Sequence, residues 1–382
     1  MCGQRDRLRC ARMRREVYRH GLFMRPVAVF WIKAMMMKKR YSVVIVLALL
    51  ILLSGCAALQ EQQAVEETKF ASETFREQVD NGRPNIYLIT KGYGSDYWDT
   101  LRQGAANAAE EYDCNLYVAG TQTESHFEVL AELMQDALDR GADAIILSPA
   151  DTPEIMQMTK KVKMADVPLV FVDTILNAED FDACFATDNM EAGRLAARET
   201  IRLLERMGKQ PEEAVSVGID IGSAQSQTIL ERLAGFQEYW SSHTPGTWKV
   251  VDDIKINDGD METAERQCYE FMDGCRDLAA LVGLNNGSTV GLARGLLKKK
   301  RTDLVLVGFD YSQEMKELIE EGTYLTASIV QRQYDMGYEG VFAAVKLLGG
   351  GTVPYRYVDT GVQQVTGDNV NSPYIQEILN GK

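Results

Sequence analysis

Apolar runs that end abruptly in a polar residue recur along this chain. The run Leu304–Phe309 closes on Asp310, a pattern typical of a buried parallel strand with a carboxylate at its end. Four further runs of this kind are Ile86–Lys91, Ala144–Ser148, Leu169–Asp173 and Leu281–Asn286. Because the carboxyl ends of parallel strands meet at one edge of a sheet, these polar ends predict a site for a small polar ligand. Taken singly, each polar end is also ordinary turn chemistry.

Helical segments separate the predicted strands. Ser95 precedes a segment in which Trp98, Leu101 and Ala105 recur at helical spacing, and a longer helix is predicted over Met190–Met207. Strands that alternate with helices indicate right-handed βαβ units and a parallel sheet. With roughly ten such strands in 382 residues, the chain is predicted to form two α/β lobes. Ligand clefts often lie between such lobes.

Charge is divided unevenly along the chain. Residues 1–55 hold 12 Lys and Arg against 2 Asp and Glu, whereas the remainder holds 29 basic and 53 acidic residues. Nucleic-acid binding needs a basic surface, so a body this acidic argues against nucleic acid as a partner.

The basic N-terminal part ends in a predicted secretion signal. Met37–Arg40 is a basic stretch, Val43–Leu53 is an apolar run of 11 residues, and Leu53-Ser54-Gly55-Cys56 follows. The apolar run is too short to span a bilayer comfortably, because a membrane helix needs about 20 such residues. Its ending resembles the bacterial lipobox, which implies a signal peptide over 37–55, a lipid on Cys56 and a position on the extracytoplasmic face of the cell membrane. The alternative is a buried cysteine that happens to follow a signal peptide.

Two segments flank this signal. We interpret residues 1–36 as a non-native leader, with translation beginning at or near Met37. Residues 56–84 are polar and rich in Glu and Gln, which predicts a tether between the lipid and the body, with Phe75 and Val79 among its few apolar anchors.

The cysteines do not form a metal-binding pattern. The chain has no CxxC pair and no His near its cysteines, so no metal site is predicted. We expect buried free thiols at Cys114, Cys184, Cys268 and Cys275.

Short motifs follow one another in a characteristic order between Asn85 and Val365. They are Asp188-Asn189 followed by Gly193, Ala196 and Ala197; Arg232 before Phe236; Asn285-Asn286 followed by Gly291; Val307–Asp310; and Ala327–Gln331. In this combination the chain resembles the periplasmic sugar-binding proteins of ABC transporters, the ribose- and galactose-binding group. The resemblance implies an α/β fold of type I, with two Rossmann-like lobes and parallel sheets joined by a three-crossover hinge that closes on a sugar.

The resemblance also implies where the lobes begin and end. The crossovers are expected near Thr187, Gln331 and Val358. The N-terminal lobe is then expected over 85–187 and 332–358, and the C-terminal lobe over 188–331 and 359–380.

Nine side chains are implied as ligand-binding residues. A sugar offers hydroxyls around its ring and C–H groups on its faces, so its site needs charged or amide partners together with aromatic rings. The polar residues expected to bind it are Lys91, Ser148, Asp173, Arg232, Asn285, Asp310 and Gln331, and the aromatic residues are Tyr97 and Trp98. Structural alternatives exist: Asp310 could cap the next helix, Arg232 could form a surface ion pair, and Trp98 could pack in the core.

Three departures from the ribose-binding pattern bear on specificity. Thr174 stands where that pattern has Arg, Lys91 stands where it has Ser, and Ser148 stands where it has Asn. We therefore do not expect ribose itself, and a hexose, deoxy-sugar, polyol or acidic sugar remains open. Lys91 either meets a ligand carboxylate or is exposed to solvent.

The sequence thus predicts a lipid-anchored extracytoplasmic solute-binding protein without metal or cofactor, monomeric by resemblance. It is expected to capture a monosaccharide or related polyol and deliver it to an ABC permease. The alternative is a sensing lipoprotein that presents its closed form to a membrane histidine kinase or chemoreceptor. An enzyme is not expected, because the sequence has no nucleophile elbow, P-loop or dinucleotide fingerprint. A sugar-responsive repressor is not expected either, because a secretion signal stands where its DNA-binding helices would be.

Overall fold

The computed structural model describes residues 74–93, 95–121 and 128–379. By its contacts the chain divides into two units, Met1–Thr68 and Lys69–Lys382, and every described residue belongs to the second. The predicted leader, signal peptide and Cys56 lie outside the described residues, as does most of the predicted tether. Among the residues described, none of the helices is both long and apolar enough to cross a membrane.

Strands and helices alternate along the described residues. The strands are β1 Asn85–Thr90, β2 Asn115–Gly120, β3 Ala144–Leu147, β4 Leu169–Asp173, β5 Ala183–Ala186, β6 Val215–Ile221, β7 Trp248–Val250, β8 Lys255–Ile256, β9 Leu278–Gly283, β10 Val305–Phe309, β11 Thr326–Gln331, β12 Tyr357–Asp359 and β13 Val362–Thr366. The helices are α1 Asp96–Glu111, α2 Glu128–Asp139, α3 Pro153–Met164, α4 Asn189–Arg206, α5 Gln227–His243, α6 Met261–Gly274, α7 Asn286–Lys299, α8 Gln313–Glu321, α9 Gln333–Leu348 and α10 Pro373–Leu379.

The strands form two separate sheets, one in each lobe. The first sheet has the order β12-β5-β4-β3-β1-β2 and is parallel throughout. The second has the order β13-β11-β10-β9-β6-β7, with β8 beside β6, and β13 is its antiparallel strand. The central strands β3, β4 and β10 are buried along their whole length, as expected for parallel strands covered on both faces by helices. The predicted α/β fold class with two parallel lobes is confirmed.

The chain passes between the two lobes three times. It leaves the first sheet between β5 and α4, returns between β11 and α9, and crosses again between β12 and β13. The third passage is held by Asp359, whose carboxylate accepts hydrogen bonds from the backbone N–H of Asp188 at 3.0 Å and of Gly361 at 2.9 Å. Asp188 belongs to the first passage, so this carboxylate links the first and third of the three segments that connect the lobes.

In each lobe, a glycine allows two helices to pack with their backbones in direct contact. In the first lobe, a Cβ atom on Gly104 of α1 would lie 2.0 Å from the carbonyl oxygen of Tyr334 in α9. In the second lobe, a Cβ atom on Gly193 of α4 would lie 2.0 Å from the carbonyl oxygen of Arg232 in α5. A contact this short is possible only without a side chain, so Gly193 helps to set the position of the helix that carries Arg232.

The last residues of the predicted tether pack against the first lobe. Phe75 is buried, and its ring meets the ring of Tyr87 edge-on with 4.7 Å between centroids. The side-chain amide of Gln78 donates to the Tyr87 hydroxyl at 2.7 Å, and the backbone N–H of Val79 donates to the Tyr117 hydroxyl at 2.9 Å. Residues from Phe75 onward therefore belong to the folded body, although the sequence assigns them to the tether.

The four cysteines in the described part of the chain are free thiols, as predicted. Cys114, Cys184 and Cys268 are buried, whereas Cys275 is half-buried. Cys275 was expected to be buried, and it differs because it caps the C-terminal end of α6, where the chain turns toward solvent.

Candidate functional site

A cleft opens between the carboxyl ends of the strands of the two lobes. About 360 Å³ of space lies between its protein atoms, the open mouth included. The cavity within this space is about 30 Å³, well below the range of about 300–1,000 Å³ that is usual for small-molecule sites. The lining residues are Lys91, Ser95, Tyr97 and Asp173 from the first lobe, and Thr228, Ile229, Arg232, Asn285, Asn286, Asp310 and Gln331 from the second.

Asp173 and Asp310 occupy matching places in the two sheets. Asp173 is the last residue of β4 and Asp310 follows β10, and both strands lie third from the sheet edge formed by β12 or β13. Both residues have a left-handed backbone, with φ of 69° at Asp173 and 64° at Asp310. Aspartate tolerates this conformation better than most residues, because its short polar side chain can hydrogen-bond locally. The same strand-end geometry thus brings one carboxylate from each lobe to the cleft.

The Asp173 carboxylate is surrounded by donors from its own lobe. Its Oδ2 atom accepts from Thr174 Oγ1 at 2.6 Å and from Ser148 Oγ at 3.2 Å, and it forms an ion pair with Lys91 Nζ at 2.9 Å. The Tyr97 hydroxyl donates to Oδ1 at 2.6 Å. Lys91 Nζ also donates to Thr174 Oγ1 at 2.7 Å, which closes the network. We call these five residues the first-lobe wall.

This network fixes the charge of the first-lobe wall. Burial alone raises the pKa of Asp173, but the Lys91 charge and the hydrogen bonds from Thr174 and Tyr97 outweigh it and lower that pKa from 3.8 to about 2. Burial, followed by the nearby Asp173 charge, raises the pKa of Tyr97 well above its ordinary value of 10.0. At neutral pH Asp173 is therefore an anion, and Tyr97 is a neutral hydrogen-bond donor.

Arg232 is held in place by its own lobe. Its Nε atom donates to Asn189 Oδ1 at 2.8 Å, and its Nη1 atom donates to the Leu284 carbonyl oxygen at 3.0 Å. The guanidinium carbon lies 4.2 Å from the centroid of the Phe309 ring, which adds a cation–π contact. These two bonds use two of the five N–H groups of the guanidinium, so other N–H groups remain for a ligand.

Asn285, Asn286 and Gln331 of the second lobe are less fully paired. The Gln331 side-chain amide donates to Asp310 Oδ1 at 3.1 Å. Within the described part of the chain, three buried atoms of the cleft lining have no hydrogen-bond partner: Asn285 Oδ1, Asn286 Nδ2 and Gln331 Oε1. Buried polar atoms are almost always paired, so these atoms are ready to bind the polar groups of a ligand. We call Arg232, Asn285, Asn286, Asp310 and Gln331 the second-lobe wall.

The cleft lining includes seven of the nine side chains expected from the sequence. The two that do not line it are Ser148, which lies behind Asp173 as a donor, and Trp98, which packs in the core of the first lobe. The Trp98 ring meets the Tyr97 ring edge-on with 4.9 Å between centroids. Trp98 thus contacts a lining residue but does not itself border the cleft.

Two structural alternatives raised by the sequence do not describe this structure. Arg232 is only 4% exposed and its partners are Asn189 and Leu284, so it is not in a surface ion pair. The residue that caps α8 is Ser312, whose hydroxyl accepts from the backbone N–H of Met315, so Asp310 is not that cap.

Four lining residues were not predicted: Ser95, Thr228, Ile229 and Asn286. Asn286 adjoins Asn285 in a motif that was recognised, and Thr228 lies one helical turn before Arg232 on α5. These spacings could have identified both residues. In residues 74–93, 95–121 and 128–379, no group of three or more His, Cys, Asp and Glu side chains is arranged to hold a metal ion.

Two parallel α/β lobes with a polar cleft at their facing strand ends define a two-lobed solute-binding protein. Residues 86–352 match the family model described as the periplasmic binding protein domain, which is more than two thirds of the chain. The chain belongs to this family, and the resemblance stated from the sequence is confirmed.

Relatives within the family are similar over most of their length. The ribose import binding protein of Salmonella typhimurium is 24% identical over 275 residues, covering 72% of this chain and 88% of the relative. The D-ribose/D-allose-binding protein of Pseudomonas aeruginosa is 24% identical over 74% of this chain and 89% of the relative.

Solved structures agree with this fold. An ABC transporter solute-binding protein from Agrobacterium vitis with bound D-fucose is 28% identical, with a TM-score of 0.70 over 77% of this chain and 99% of that chain. A carbohydrate transporter solute-binding protein from Agrobacterium radiobacter, in complex with D-arabinose, is 24% identical with a TM-score of 0.72. At 24% identity, the similarity to the Agrobacterium radiobacter structure shows that the two proteins share a fold.

Proposed function

We propose that the protein is a lipid-anchored extracytoplasmic solute-binding protein of an ABC transporter. It captures a monosaccharide or a related polyol in the cleft between its lobes and delivers it to a membrane permease. The ligand-binding residues of this proposal are Lys91, Tyr97 and Asp173 together with the second-lobe wall, and Trp98 and Ser148 support Tyr97 and Asp173 from behind.

The unpaired polar atoms of the second-lobe wall carry this proposal. Leaving a buried donor or acceptor unpaired costs roughly 1–3 kcal/mol, so Asn285 Oδ1, Asn286 Nδ2 and Gln331 Oε1 together favour a polar ligand. A sugar or polyol carries several hydroxyl groups that both donate and accept, so it can satisfy an amide oxygen and an amide N–H in one binding event. The charged groups Asp310 and Arg232 strengthen such bonds.

The choice of a sugar also rests on the relatives. The Agrobacterium vitis protein, at 28% identity, has D-fucose bound, and the curated relatives bind ribose or allose by their names. In this chain Lys91 and Thr174 join the Asp173 network, where the ribose-binding pattern has Ser and Arg. The donors therefore differ from that pattern on the first-lobe side, which favours a sugar other than ribose.

Binding and closure are coupled in this proposal. The ligand contacts both walls at once, and it therefore stabilises the state in which the lobes are close together. Three connecting segments form the hinge between the lobes, so the lobes can rotate relative to each other without unfolding. A permease that contacts both lobes would distinguish the closed state from the open one.

The panel that tests the sugar assignment uses the whole folded body. A soluble form beginning at Lys69 retains Phe75 and the rest of the compact unit. We would titrate it with pentoses, hexoses, deoxy-sugars, polyols and uronic acids, after unfolding and refolding to remove any carried-over ligand. A bound sugar raises the melting temperature by mass action, and calorimetry then gives its affinity. If no compound in the panel binds, the sugar assignment is wrong.

The lipid anchor has its own test. The motif Leu53-Ser54-Gly55-Cys56 carries this part of the proposal. Replacing Cys56→Ser in the full chain should leave the signal unprocessed and the protein without acyl chains, as measured by mass spectrometry. A Cys275→Ser variant is the matched control and should be processed normally. Normal acylation of the Cys56→Ser protein would exclude the lipobox assignment.

A further inference from the structure

A second hollow lies beside the cleft, and we call it the outer compartment. It contains about 600 Å³ of space between protein atoms, its open mouth included, whereas the cleft itself contains about 360 Å³. Pro149, Ala150, Asp151 and Thr152 line it from the loop between β3 and α3 of the first lobe. Gln225, Ser226 and Gln227 line it from the second lobe. The outer compartment therefore also lies between the lobes.

The outer compartment adjoins the cleft. Lys91 lines both spaces. In the first lobe, Thr174 lines the outer compartment and its neighbour in the chain, Asp173, lines the cleft. In the second lobe, Gln227 lines the outer compartment and its neighbour Thr228 lines the cleft. Ser226 Oγ of the outer compartment lies 3.0 Å from Thr228 Oγ1 of the cleft. A ligand group that extends from the cleft past Lys91 therefore points toward the outer compartment.

The lining of the outer compartment is suited to a polar group of about the size of a sugar ring. Thr152, Ser226 and the two glutamines supply uncharged donors and acceptors, and Asp151 supplies a carboxylate. Pro149 and Ala150 supply a small apolar surface for ring C–H groups. Lys91 at the boundary uses two of its three N–H groups on Asp173 and Thr174, so one remains for an oxygen that joins two units.

We propose that the outer compartment is a second sugar subsite and that the preferred ligand is a disaccharide or a similar glycoside. This inference rests on the proposed function, because it requires that the cleft itself holds a sugar. One sugar unit then lies between the two walls, and the second lies between the β3–α3 loop and the start of α5.

Matched pairs of sugars test this inference. D-glucose and D-galactose are compared with maltose, cellobiose, lactose and melibiose by calorimetry on the Lys69–Lys382 protein. We expect at least one disaccharide to bind tenfold or more tightly than either of its component monosaccharides. If monosaccharides bind and every disaccharide binds more weakly, the second subsite does not exist although the sugar-binding function stands. If neither size of sugar binds, both the function and the subsite are excluded.

Two variants that fill the outer compartment locate the effect. Asp151→Trp fills it from the first lobe and Gln225→Trp fills it from the second, and both positions are exposed, so the fold should tolerate them. Each should reduce disaccharide affinity tenfold or more while changing monosaccharide affinity less than threefold. Glu154→Trp, on the exposed first turn of α3, is the matched control and should change neither. Equal losses for both sizes of sugar in the filling variants would overturn the proposal.

Discussion

The two walls of the cleft differ in how their polar groups are paired. In the first-lobe wall, Asp173 has four partners within its own lobe, and Lys91 pairs with Asp173 and Thr174. In the second-lobe wall, Asn285, Asn286 and Gln331 each have a buried atom without a partner in the described residues. The Asp173 carboxylate of the first wall is therefore paired within the protein, whereas the second wall holds buried polar atoms to which the described residues offer no partner.

One buried carboxylate in each lobe shows the same difference in hydrogen-bond pairing. Asp173 lies beside a lysine, and its pKa is lowered to about 2. Asp220, at 0% exposure in β6, accepts from Asn257 Nδ2 at 2.6 Å, but its Oδ2 atom has no partner in the described part of the chain. Its pKa is raised from 3.8 to about 6, chiefly by burial. Among the described residues, the second lobe thus has more buried polar atoms without a partner than the first. They lie both in the second-lobe wall and deeper in the lobe, at Asp220.

Arg232→Ala should have the largest effect on binding. The substitution removes the guanidinium donors from the second-lobe wall, and it leaves Asn189 Oδ1 and the Leu284 carbonyl without the bonds that Arg232 makes to them. We expect sugar affinity to fall about 10- to 100-fold, since a hydrogen bond to a charged group contributes roughly 1.5–3 kcal/mol. Calorimetric titration measures the loss. Arg198→Ala, an exposed position on α4, is the control, and an equal loss there would show that the effect does not come from the cleft.

Lys91→Met should have the largest effect on stability. It removes the charge that pairs with Asp173 in a site where both side chains are under 10% exposed. Breaking a buried pair by removing one partner costs about 3–5 kcal/mol, and the remaining donors around Asp173 place the expected loss at the lower end, about 3 kcal/mol. Denaturant unfolding measures it. Lys298→Met, which breaks the pair between the exposed Lys298 and the half-buried Glu265, should cost less than about 1 kcal/mol.

Asp220→Asn should change how stability depends on pH. Because the folded pKa of Asp220 is raised to about 6 from 3.8, the folded protein keeps a proton between those pH values that the unfolded chain has lost. Stability therefore decreases as pH rises through this window, by about 3 kcal/mol in total at 1.36 kcal/mol per pKa unit. The variant should lack this decrease, as measured by unfolding between pH 4 and pH 7. An unchanged pH profile would contradict the assignment, and the exposed Asp273→Asn variant should keep the wild-type profile.

Asp173 should act in the opposite direction and at lower pH. Its folded pKa is lowered to about 2, so its stabilising contribution is present above its ordinary pKa of 3.8 and is lost as pH falls toward 2. The two carboxylates therefore titrate in separate windows, and unfolding data from pH 2 to pH 7 can assign each window to its lobe.

Matched glycine substitutions should separate packing from binding. Gly104→Ala and Gly193→Ala each place a Cβ atom 2.0 Å from a carbonyl oxygen of the facing helix. Both should lower stability by about 1–3 kcal/mol, because the helices must move apart. Gly193→Ala should also weaken sugar binding several-fold more than Gly104→Ala, since the displaced oxygen belongs to Arg232. Calorimetry that finds equal affinities in the two variants would show that the α4–α5 contact does not position Arg232.

The sequence predicted those parts of the site that depend on strand ends and motifs. Asp173 and Asp310 follow apolar runs, and their places in the structure follow from the rule that parallel strands end at one edge. Arg232 was recognised from its motif before Phe236. These features are local in the chain, so a pattern of neighbouring residues is enough to identify them.

Other features depend on tertiary contacts that no local pattern contains. Trp98 shares a helical stripe with Leu101 and Ala105, and such a stripe fits a core position as well as a cleft position. Phe75 is a single aromatic residue in a polar segment, so its burial against Tyr87 has no periodic signal. The unpaired atoms of Asn285, Asn286 and Gln331 arise from what surrounds them in the folded lobe, which residue type alone does not reveal.

One measurement tests the difference between the walls most directly. It is the free energy of unfolding of Lys91→Met and Asn285→Ala, each determined without ligand and with a saturating sugar from the panel. We predict that Lys91→Met loses about 3 kcal/mol without ligand. Asn285→Ala should stay within about 0.5 kcal/mol of the wild type without ligand, and should lose part of the stabilisation that the sugar gives. If Asn285→Ala destabilises the ligand-free protein as much as Lys91→Met does, the second-lobe wall is already paired in the free protein and the account is wrong.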